Sequence, residues 1–428
     1  MGVPVSSTHI ELISSVGLLK VGKGIRMKSY NHLYEQYISE GNIEWSIINS
    51  SKGKRKRGVV MRYIKDGIAT DYGKERTKKY AAWDTFRNYK HTPMEIYDGI
   101  TRKKRIIIVP RYQEQIVHHM VVNTLIPVFS KGMYEHSYAS LPNRGAHRGK
   151  KVIERWIRTD RKNCTYCLKM DVRKFFDSIP HDILLKKLHM LIHDDKFMAI
   201  LEEIISVTDI GLPLGFYTSQ WLSNWYLQDL DHFIKEDLNA AHYMRYMDDM
   251  VVFGSDKEQL HRMKDRINSF LKANLGLELK DNWQVFRFDH IMPDGSHRGR
   301  FLDYMGFKFY CDKTTMRKTI MLKATRKAKK LSRKDRPTIY DMRQMMAYLG
   351  WIDCTDTYGM YCIWIKPFVD FQKCKRRMSK YDKRIAKEER GSKNELENST
   401  KHSKATGSGH SSVQGSELCQ EEHPHGSG

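Results

Sequence analysis

RYMDDMVVF, residues 245 to 253, places two adjacent aspartates between apolar runs. The segments AHYMRY (241–246) and MVVFG (250–254) have strand-like composition, which predicts an antiparallel hairpin with Asp248 and Asp249 at its tip. Asp is common in tight turns for purely structural reasons. However, two ionised carboxylates repel each other at this range, and a bound cation would offset the repulsion. The hairpin therefore predicts either a polar turn or half of a metal site.

A second acidic segment precedes the hairpin. Asp171 ends the short apolar strand predicted in LKMDV (168–172). If this strand end lies beside the hairpin, three carboxylates form a hard-oxygen site suited to Mg²⁺ or Mn²⁺. Two such ions about 3.5–4 Å apart can activate a hydroxyl and stabilise a leaving oxygen in phosphoryl transfer. Together with a basic chain, this chemistry indicates a polymerase or a nuclease.

A third segment, GLPLGFYTSQ (211–220), contains two glycines and a proline and opens a helix. Glycines allow close approach of a ligand to the backbone, and a helix N-terminus offers unpaired N–H groups. The alternative is an ordinary loop with Ser219 as the N-cap. This segment alone is weak evidence for a ligand site. Its position between the two acidic segments makes the three segments together stronger evidence.

The chain is strongly basic. Its 428 residues include 74 Lys plus Arg and 50 Asp plus Glu, which gives a formal net charge of +24 at pH 7 and a pI near 9.5. Such an excess attracts polyanions and favours nucleic acid over a membrane surface as the partner.

No apolar run approaches the ~20 residues of a spanning helix, and the first residues make a poor signal peptide. Seven cysteines without a disulfide framework indicate a reducing compartment, so a cytoplasmic location is predicted.

Strand signals alternate with long helical patterns along most of the chain, which predicts an α+β or α/β body. Residues 1–26 are weakly patterned and are expected to be a flexible leader, and residues 388–428 have almost no large apolar residues and are expected to be disordered.

The segment RKTIMLKATRKAKKLSRK (317–334) is helical and very basic. Its cations are predicted to contact a nucleic-acid backbone, the alternative being a solvated helix face. Five of them are assigned to this role: Lys323, Arg326, Lys327, Lys329 and Lys330.

These segments resemble motifs A, B and C of reverse transcriptases, in the order that the family keeps them. YMDD (246–249) matches the YxDD box, LKMDVRKFFDSIPH resembles motif A of group II intron-like bacterial enzymes, and GLPLGFYTSQ resembles motif B. RKKRIIIVPRYQEQIVHHMVV and SYASLPNRGAHRGKKVI resemble two fingers blocks. GLELKDN and FLDYMGFKFY resemble motif D and the primer-grip hairpin. The likeness spans roughly residues 90 to 380.

The resemblance implies an α+β right-hand polymerase with an antiparallel palm sheet and a basic, helical thumb. Between the leader and the tail, it implies N-terminal helices and fingers at 27–165, a palm with motifs A to E at 166–312 and a thumb at 313–387. The implied function is RNA-directed DNA synthesis with two Mg²⁺ ions, Mn²⁺ being the alternative. The implied partners are template RNA, primer or cDNA and dNTPs, together with an accessory protein or structured non-coding RNA from the same locus and no membrane.

The family's site residues can be carried onto matching positions. The metals would be held by three carboxylates and one backbone carbonyl, those of Asp171, Asp248, Asp249 and Val172. The incoming nucleotide and template would be bound by six further residues: Arg105, Arg144, Phe176, Gly215, Gln220 and Lys280. Among these, the arginines would contact the triphosphate and Lys280 would donate a proton to pyrophosphate. Phe176 would be the gate against the ribose 2′-hydroxyl, or alternatively a core aromatic.

Two positions depart from the family pattern. Gln113 replaces the arginine of PxxRDR, and Leu141 replaces the first arginine of FRPGR. Triphosphate binding would therefore depend on fewer arginines or on the neighbouring Lys103, Lys104 and Arg111. These departures concern the fingers and leave the three carboxylates intact.

Motif B also reads LGxxxSQ instead of the QGxxxSP of intron enzymes. This variant is familiar from diversity-generating retroelements and from some stand-alone bacterial reverse transcriptases, and YLGWIDCTDTYGMYCIWI (348–365) resembles their thumb block. No maturase, HNH or Cas1-like domain is recognised. A retroelement enzyme is therefore slightly favoured over a phage-defence reverse transcriptase. A catalytically inactive RNA-binding protein and a metal-dependent nuclease are the remaining alternatives.

Overall fold

The computed structural model describes residues 29–97, 104–385 and 387. The expected leader (1–26) and tail (388–428) lie outside the described residues, as does Lys103. Within the described ranges, helices are interleaved with short strands whose pairings are antiparallel, so the predicted α+β class is confirmed. Among the helices that the structure describes, none is long and apolar enough to cross a membrane.

The N-terminal part consists of helices and two short hairpins. Its elements are α1 (Leu33–Tyr37), α2 (Glu40–Ser51), α3 (Gly58–Met61), β1 (Ile64–Lys65), β2 (Ile68–Ala69), α4 (Asp71–Ala81), β3 (Met94–Tyr97), β4 (Lys104–Ile107), α5 (Tyr112–Phe129) and α6 (Ala146–Thr159). The side chains of Ser39 and Thr70 cap α2 and α4 by accepting backbone N–H groups. Helix α5 is buried along most of its length and packs against α2 and α4. It forms the centre of this part of the chain.

The palm sheet has four antiparallel strands in the order β6–β7–β5–β8. They are β5 (Tyr166–Asp171), β6 (His242–Tyr246), β7 (Asp249–Gly254) and β8 (Gln284–Arg287). Alternate residues of β5 and β7 pack into different apolar cores: Met170 and Val252 lie in the main core, and Cys167 and Val251 in a second one. The sheet is therefore covered on both faces, and its strands read as apolar runs.

Helices surround this sheet. Those between β5 and β6 are α7 (Phe175–Ser178), α8 (His181–Leu191), α9 (Asp195–Ile205), α10 (Tyr217–Tyr226) and α11 (Gln228–His232), and α12 (Lys257–Leu275) follows β7. Helix α12 begins at an Asp256 cap and ends at Gly276, whose φ of 59° is left-handed. It packs against β5, β7 and β8, so the long helical pattern of this segment is explained by one apolar face on the sheet.

The C-terminal part begins with two small antiparallel sheets formed by β9 (His290–Ile291), β10 (His297–Arg298), β11 (Leu302–Tyr304), β12 (Phe307–Phe309) and β13 (Thr314–Met316). Helices α13 (Lys318–Ser332), α14 (Ile339–Asp353) and α15 (Tyr358–Trp364) follow, and residues 371–385 are also helical. These helices enclose a third apolar core that includes Ile320, Met345 and Phe371. The domain boundaries inferred from the sequence stay predictions.

Candidate active site

The two acidic segments meet at one end of the palm sheet. The strand register places Asp171 of β5 opposite Asp249 of β7, and such cross-strand pairs have Cβ atoms about 4.5–5.5 Å apart. Both side chains project from the same sheet face, because Asp171 is in phase with Cys167 and Asp249 is in phase with Val251. The structure therefore brings together two carboxylates that are distant in the sequence.

Asp248 lies in the two-residue turn between β6 and β7, directly after Met247. The φ angle of Met247 is 60°, in the left-handed region that costs a non-glycine residue about 1–2 kcal/mol. Arg245 Nη1 donates to the Met247 carbonyl at 3.0 Å, and the Ser223 hydroxyl lies 3.5 Å from the Met247 sulfur. These contacts hold a strained turn, and strain of this kind is concentrated at functional sites.

Burial and repulsion change the ionisation of the two turn carboxylates. Burial, followed by the nearby Asp171 carboxylate, raises the pKa of Asp248 to about 7. Burial also raises the pKa of Asp249 to about 7, although the Lys169 ammonium, 3.7 Å from Asp249 Oδ2, acts in the opposite direction. The residues present therefore supply too little positive charge to ionise both groups fully. A divalent cation would supply that charge.

The oxygen donors at this position fit a divalent cation. Asp249 Oδ1 is buried and has no hydrogen-bond partner among the described residues. An orphaned buried carboxylate oxygen requires an explanation, and an ion is one of the recognised ones. Lys280 Nζ lies 3.2 Å from Asp171 Oδ2, which places the predicted proton donor beside the carboxylates. Hard oxygen donors of this kind suit Mg²⁺ or Mn²⁺.

The orientation of Val172 is compatible with its predicted role as a backbone ligand. Val172 pairs with Leu279 in an antiparallel bridge. The flanking backbone bonds, Lys280 N to Asp171 O and Arg173 N to Glu278 O, identify this as a non-hydrogen-bonded pair. The Val172 carbonyl therefore points away from Leu279, towards the side of β5 that carries β7 and the acidic turn.

Cations that the sequence analysis did not assign flank the carboxylates. A cleft on this face is lined by Asp171 and Asp249 and also by Lys169, Arg300 and Arg317. Lys169 precedes Asp171 by two residues, and period-two alternation along β5 could have placed it on the same face. The two arginines come from segments far along the chain, so their presence at the cleft could not be read from local pattern.

Arg245 is a second residue that the sequence analysis missed. Its side chain is completely buried, as is that of Asp231, with which it pairs. The sequence contained a signal, because Arg245 is in phase with the core residue Tyr243 on the predicted strand. A charged residue on the core face of a strand requires a buried partner of opposite charge. The partner itself could not be identified without the tertiary structure.

Gly215 lies where the motif B loop contacts the fingers. Ile108 N donates to Leu214 O at 2.7 Å. The φ angle of Gly215 is 114°, and a Cβ added there would lie 2.2 Å from the Ile108 carbonyl oxygen. Only glycine fits this close approach. Gln220 is exposed on α10, and its proposed contact with the template or nucleotide stays a prediction.

The two consecutive phenylalanines of motif A have different surroundings. Phe175 is 2 % exposed and belongs to the main core. Phe176 is half-buried and packs against Phe175 edge-to-face, with ring centroids 5.6 Å apart. Its carbonyl accepts a hydrogen bond from Leu212 N at 2.6 Å, next to the motif B loop. Phe176 also packs against the main core, which is compatible with the core role considered for it, and its gate role stays a prediction.

The two predicted triphosphate-binding arginines lie in the fingers. Arg105 is exposed on β4, opposite Ile96 of β3. Arg144 donates from Nη1 to the carbonyls of Tyr134 at 2.5 Å and Ser137 at 2.9 Å. One end of the Arg144 guanidinium therefore fixes the loop before α6. Contact of either arginine with a triphosphate stays a prediction.

The five basic thumb residues separate into two groups on α13. Lys327 Nζ lies 3.0 Å from Asp341 Oδ1, and Lys329 lies over the ring of Phe368 at 5.4 Å. Within the part of the chain that the structure describes, the remaining three make no hydrogen bond or ion pair: Lys323, Arg326 and Lys330. Their spacing places these three on one helix face.

Residues 90–309 match the family model for reverse transcriptase (RNA-dependent DNA polymerase). The chain belongs to the reverse transcriptase family. The predicted right-hand polymerase fold with an antiparallel palm sheet is thereby confirmed. Reverse transcriptases as a family use divalent metal ions, so the acidic cluster is the candidate metal centre of this domain.

Several curated proteins are similar to this reverse transcriptase domain. The retron Ec73 reverse transcriptase of Escherichia coli is 27% identical over 205 residues, covering 44% of this chain and 62% of that protein. The group II intron-encoded protein LtrA of Lactococcus lactis subsp. cremoris is 23% identical over 205 residues, covering 45% of this chain and 33% of that protein. An uncharacterized 91 kDa protein in the cob intron of Schizosaccharomyces pombe is 27% identical over 220 residues, covering 48% of this chain and 26% of that protein. The chain thus spans between about a quarter and three fifths of these relatives.

Solved telomerase structures are also similar. The telomerase of Candida albicans in complex with the TWJ fragment of telomeric RNA has a TM-score of 0.39 and 13% identity, covering 68% of this chain and 59% of that chain. The apo telomerase of Candida tropicalis has a TM-score of 0.39 and 12% identity, covering 60% of this chain and 53% of that chain.

Proposed function

We propose that this chain is an RNA-directed DNA polymerase that synthesises cDNA by two-metal nucleotidyl transfer. The observation that carries the proposal is the pairing of Asp171 with Asp249 beside the Asp248 turn, in a chain of the reverse transcriptase family. These three carboxylates and the Val172 carbonyl would hold two Mg²⁺ ions, or Mn²⁺ as the alternative. When bound, the ions would polarise the attacking hydroxyl and stabilise the leaving oxygen.

The chain's own residues would position the substrate. The Lys280 ammonium, 3.2 Å from Asp171 Oδ2, would hold a proton within reach of the leaving pyrophosphate. Gly215 would keep the motif B loop close to the fingers, and Gln220 would line the template pocket. Phe176, beside that loop, would exclude a ribose 2′-hydroxyl by steric clash, which favours dNTPs over rNTPs. Arg105 and Arg144 would contact the triphosphate through guanidinium donors.

The nucleic acid would be template RNA paired with primer or cDNA. The net charge of +24 supports this class of ligand, and the unpaired basic face of α13 would contact the duplex backbone. A structured non-coding RNA or an accessory protein from the same locus would be the additional partner, and a cytoplasmic location is part of the same proposal. RNA sequencing and mass spectrometry of material that co-purifies with the chain would identify these partners.

Primer extension on an RNA template with dNTPs and Mg²⁺ tests the activity. Wild type is expected to extend the primer, and Asp248→Ala/Asp249→Ala to lose extension by several orders of magnitude. Asp265→Asn, which removes an exposed carboxylate of α12, is the matched control and should retain activity. Equal extension by the double variant and wild type would show that the assigned site is wrong. RNA binding without extension in wild type would instead support the inactive RNA-binding alternative.

For the biological role, we propose a diversity-generating retroelement, on the LGxxxSQ form of motif B at 214–220. The DNA beside the gene tests this proposal. A near-duplicate pair of repeats that differ mainly at adenines is expected. Absence of such a pair, together with protection of cells from phage infection that requires Asp248, would favour the phage-defence alternative.

A further inference from the structure

Four potential metal ligands converge away from the polymerase carboxylates. They come from the residue before β9, the first residue of β10 and the turn between β12 and β13: Asp289, His297, Cys311 and Asp312. One ligand atom from each lies within 4.8 Å of every other one. The four residues are scattered over a segment with no zinc-finger spacing, so the sequence pattern did not single them out.

The contacts within this cluster are short. His297 Nδ1 lies 3.0 Å from Asp289 Oδ2, and His297 Nε2 lies 3.7 Å from Asp312 Oδ2. Cys311 N donates to Asp289 Oδ2 at 3.0 Å. Asp289 is only 5% exposed, and a buried carboxylate is retained when it is paired or coordinates a metal. Cys311 is half-buried, and His297 and Asp312 are exposed, so the cluster is a polar site at the surface that is anchored by one buried carboxylate.

We propose that Asp289, His297, Cys311 and Asp312 form a structural zinc site. Imidazole and thiolate ligands favour Zn²⁺ over Mg²⁺, and Zn²⁺ takes four Cys, His or Asp donors in tetrahedral geometry. Zinc bonds of about 2.0–2.3 Å imply ligand separations of roughly 3.3–3.8 Å. Only one nitrogen of His297 can bind the ion. With Nδ1 as that ligand atom, its 3.0 Å separation from Asp289 Oδ2 requires only a small adjustment, and the 3.7 Å contact of Nε2 with Asp312 Oδ2 is a contact of the second nitrogen. The other imidazole nitrogen would face a carboxylate, which is the usual arrangement around zinc-bound histidine.

Zinc would change the state of Cys311. Burial, together with a hydrogen bond to Asp289, raises the pKa of the Cys311 thiol to about 11, so without a cation this side chain carries its proton at neutral pH. Binding of Zn²⁺ forms the metal–sulfur bond and releases the thiol proton to solvent. The dication would also neutralise most of the charge of two carboxylates and one thiolate.

The position of the cluster indicates what the ion would stabilise. It joins the β9–β10 hairpin to the turn that leads into β13 and thence to α13. The adjoining strand β11 contains Tyr304, whose hydroxyl donates to the backbone carbonyl of Asp249 at 2.8 Å. A zinc crosslink would therefore fix the connection between the acidic centre and the basic helix. This inference concerns a site separate from the proposed polymerase chemistry.

Metal analysis of the full-length chain, purified from zinc-supplemented cells and dialysed without chelator, tests the inference. Wild type is expected to contain about one zinc per chain, and Cys311→Ser and His297→Asn to contain at least fivefold less. Cys354→Ser is the matched control, because its thiol also contacts a histidine, His147, at 3.2 Å but lies outside the cluster. Zinc in wild type no higher than in Cys311→Ser would overturn the proposal.

Cobalt substitution provides a second measurement that does not depend on polymerase activity. Co²⁺ added to the metal-free chain is expected to give visible d–d bands and a near-ultraviolet thiolate charge-transfer band. Cys311→Ser should lose the charge-transfer band, and His290→Asn, a neighbouring histidine outside the cluster, should retain it. Should Cys311→Ser not fold, Asp312→Asn, at a side chain that is 38% exposed, should shift the bands. Identical spectra for Asp312→Asn and wild type would contradict the four-ligand site.

Discussion

The Arg245 guanidinium and the Asp231 carboxylate form a bidentate ion pair whose side chains are both completely buried. Arg245 Nε lies 2.8 Å from Asp231 Oδ1, and Nη2 lies 2.6 Å from Oδ2. The third nitrogen, Nη1, donates to the carbonyl of Met247, the residue with left-handed φ directly before Asp248. The ion pair therefore couples the end of α11 to the acidic turn, and it explains how a strained hairpin is held in one conformation.

Removal of one partner should destabilise the protein strongly. Arg245→Gln leaves the Asp231 carboxylate buried without a counter-charge, which is expected to cost about 3–5 kcal/mol in the free energy of unfolding. Arg262→Gln is the control, because Arg262 and Asp256 are exposed and 3.8 Å apart, and it should cost less than about 1 kcal/mol. Urea unfolding measures both. Equal costs would contradict the structural role of the buried pair.

A double variant separates stability from turn geometry. Arg245→Met/Asp231→Leu removes both charges, so it should recover most of the stability that Arg245→Gln loses. It cannot donate to the Met247 carbonyl, and primer extension should therefore stay well below that of wild type. Full recovery of extension in the double variant would show that the bond to Met247 does not support the turn.

Gly215→Ala should disturb the contact between motif B and the fingers. The added Cβ would lie 2.2 Å from the Ile108 carbonyl oxygen at a φ of 114°, so backbone must move, at a cost of more than about 1 kcal/mol. Primer extension should fall at the same time. Gly350→Ala on α14 has no atom within 4 Å of its Cβ and should be neutral or stabilising by up to about 1 kcal/mol. Unaltered extension by Gly215→Ala would contradict this assignment.

The acidic turn predicts a pH dependence of stability without metal. The folded-state pKa values of Asp248 and Asp249 are raised to about 7, whereas unfolded Asp titrates near 3.9. Between about pH 4 and 7 the folded state binds more protons, so the free energy of unfolding decreases as pH rises. The melting temperature of metal-free protein should fall by a few degrees through this window, and Mg²⁺ should restore it near pH 8.

Asp248→Asn isolates this effect from other titrations. It removes one of the repelling charges, so the decrease between about pH 4 and pH 7 should be smaller than in wild type and the response to Mg²⁺ should be weak. Asp249 retains a side chain that is 32% exposed, and water screens part of the repulsion, so the difference is expected to be about 1 kcal/mol. A variant curve parallel to that of wild type would rule out the raised pKa as the cause.

The gate assignment predicts opposite consequences for two neighbouring residues. Phe176→Ala should raise the incorporation of rNTPs relative to dNTPs by at least tenfold, with a modest loss of stability because the ring is half-buried. Phe175→Ala removes a side chain that is 2% exposed and should cost about 3–5 kcal/mol without admitting rNTPs. Steady-state incorporation of each nucleotide, and urea unfolding, distinguish the two. An unchanged rNTP:dNTP ratio in Phe176→Ala would contradict the gate.

The parts of the fold that could be predicted from the sequence are those encoded by local pattern. The apolar, strand-like runs on either side of Asp248 and Asp249 predicted the hairpin of β6 and β7, and the run ending at Asp171 predicted β5. The buried pairing of Arg245 with Asp231 and the convergence of Asp289 with Cys311 could not be predicted, because they depend on tertiary packing between elements. Period-two alternation along the strand could have placed Arg245 on the same face as Tyr243, and a charged residue on a core face is the signal that such a buried pair leaves in a sequence.

The five basic thumb residues also show what local pattern predicts and what depends on tertiary packing. Their separation into paired and unpaired residues can be tested. Composition assigned all five to nucleic-acid binding, but Lys327 pairs with Asp341 at 3.0 Å. Lys323, Arg326 and Lys330 instead share one face of α13 and make no hydrogen bond or ion pair with the described residues. The triple variant Lys323→Ala/Arg326→Ala/Lys330→Ala should weaken binding to an RNA–DNA duplex. It should also reduce the slope of log K against log salt by about 2–3, because each lost phosphate contact contributes roughly 0.7–0.9.

Lys327→Ala is the internal control for this measurement. Asp341 also pairs with Lys334 at 2.7 Å and accepts the Thr338 backbone N–H at the start of α14, so the loss of Lys327 should lower thumb stability. The salt slope should change by less than about 1, since this ammonium is already neutralised within the protein. Titrations at several salt concentrations, with melting curves of the same samples, give both quantities. If Lys327→Ala reduced the slope as much as the triple variant, all of α13 would contact nucleic acid and the two-group division would be wrong.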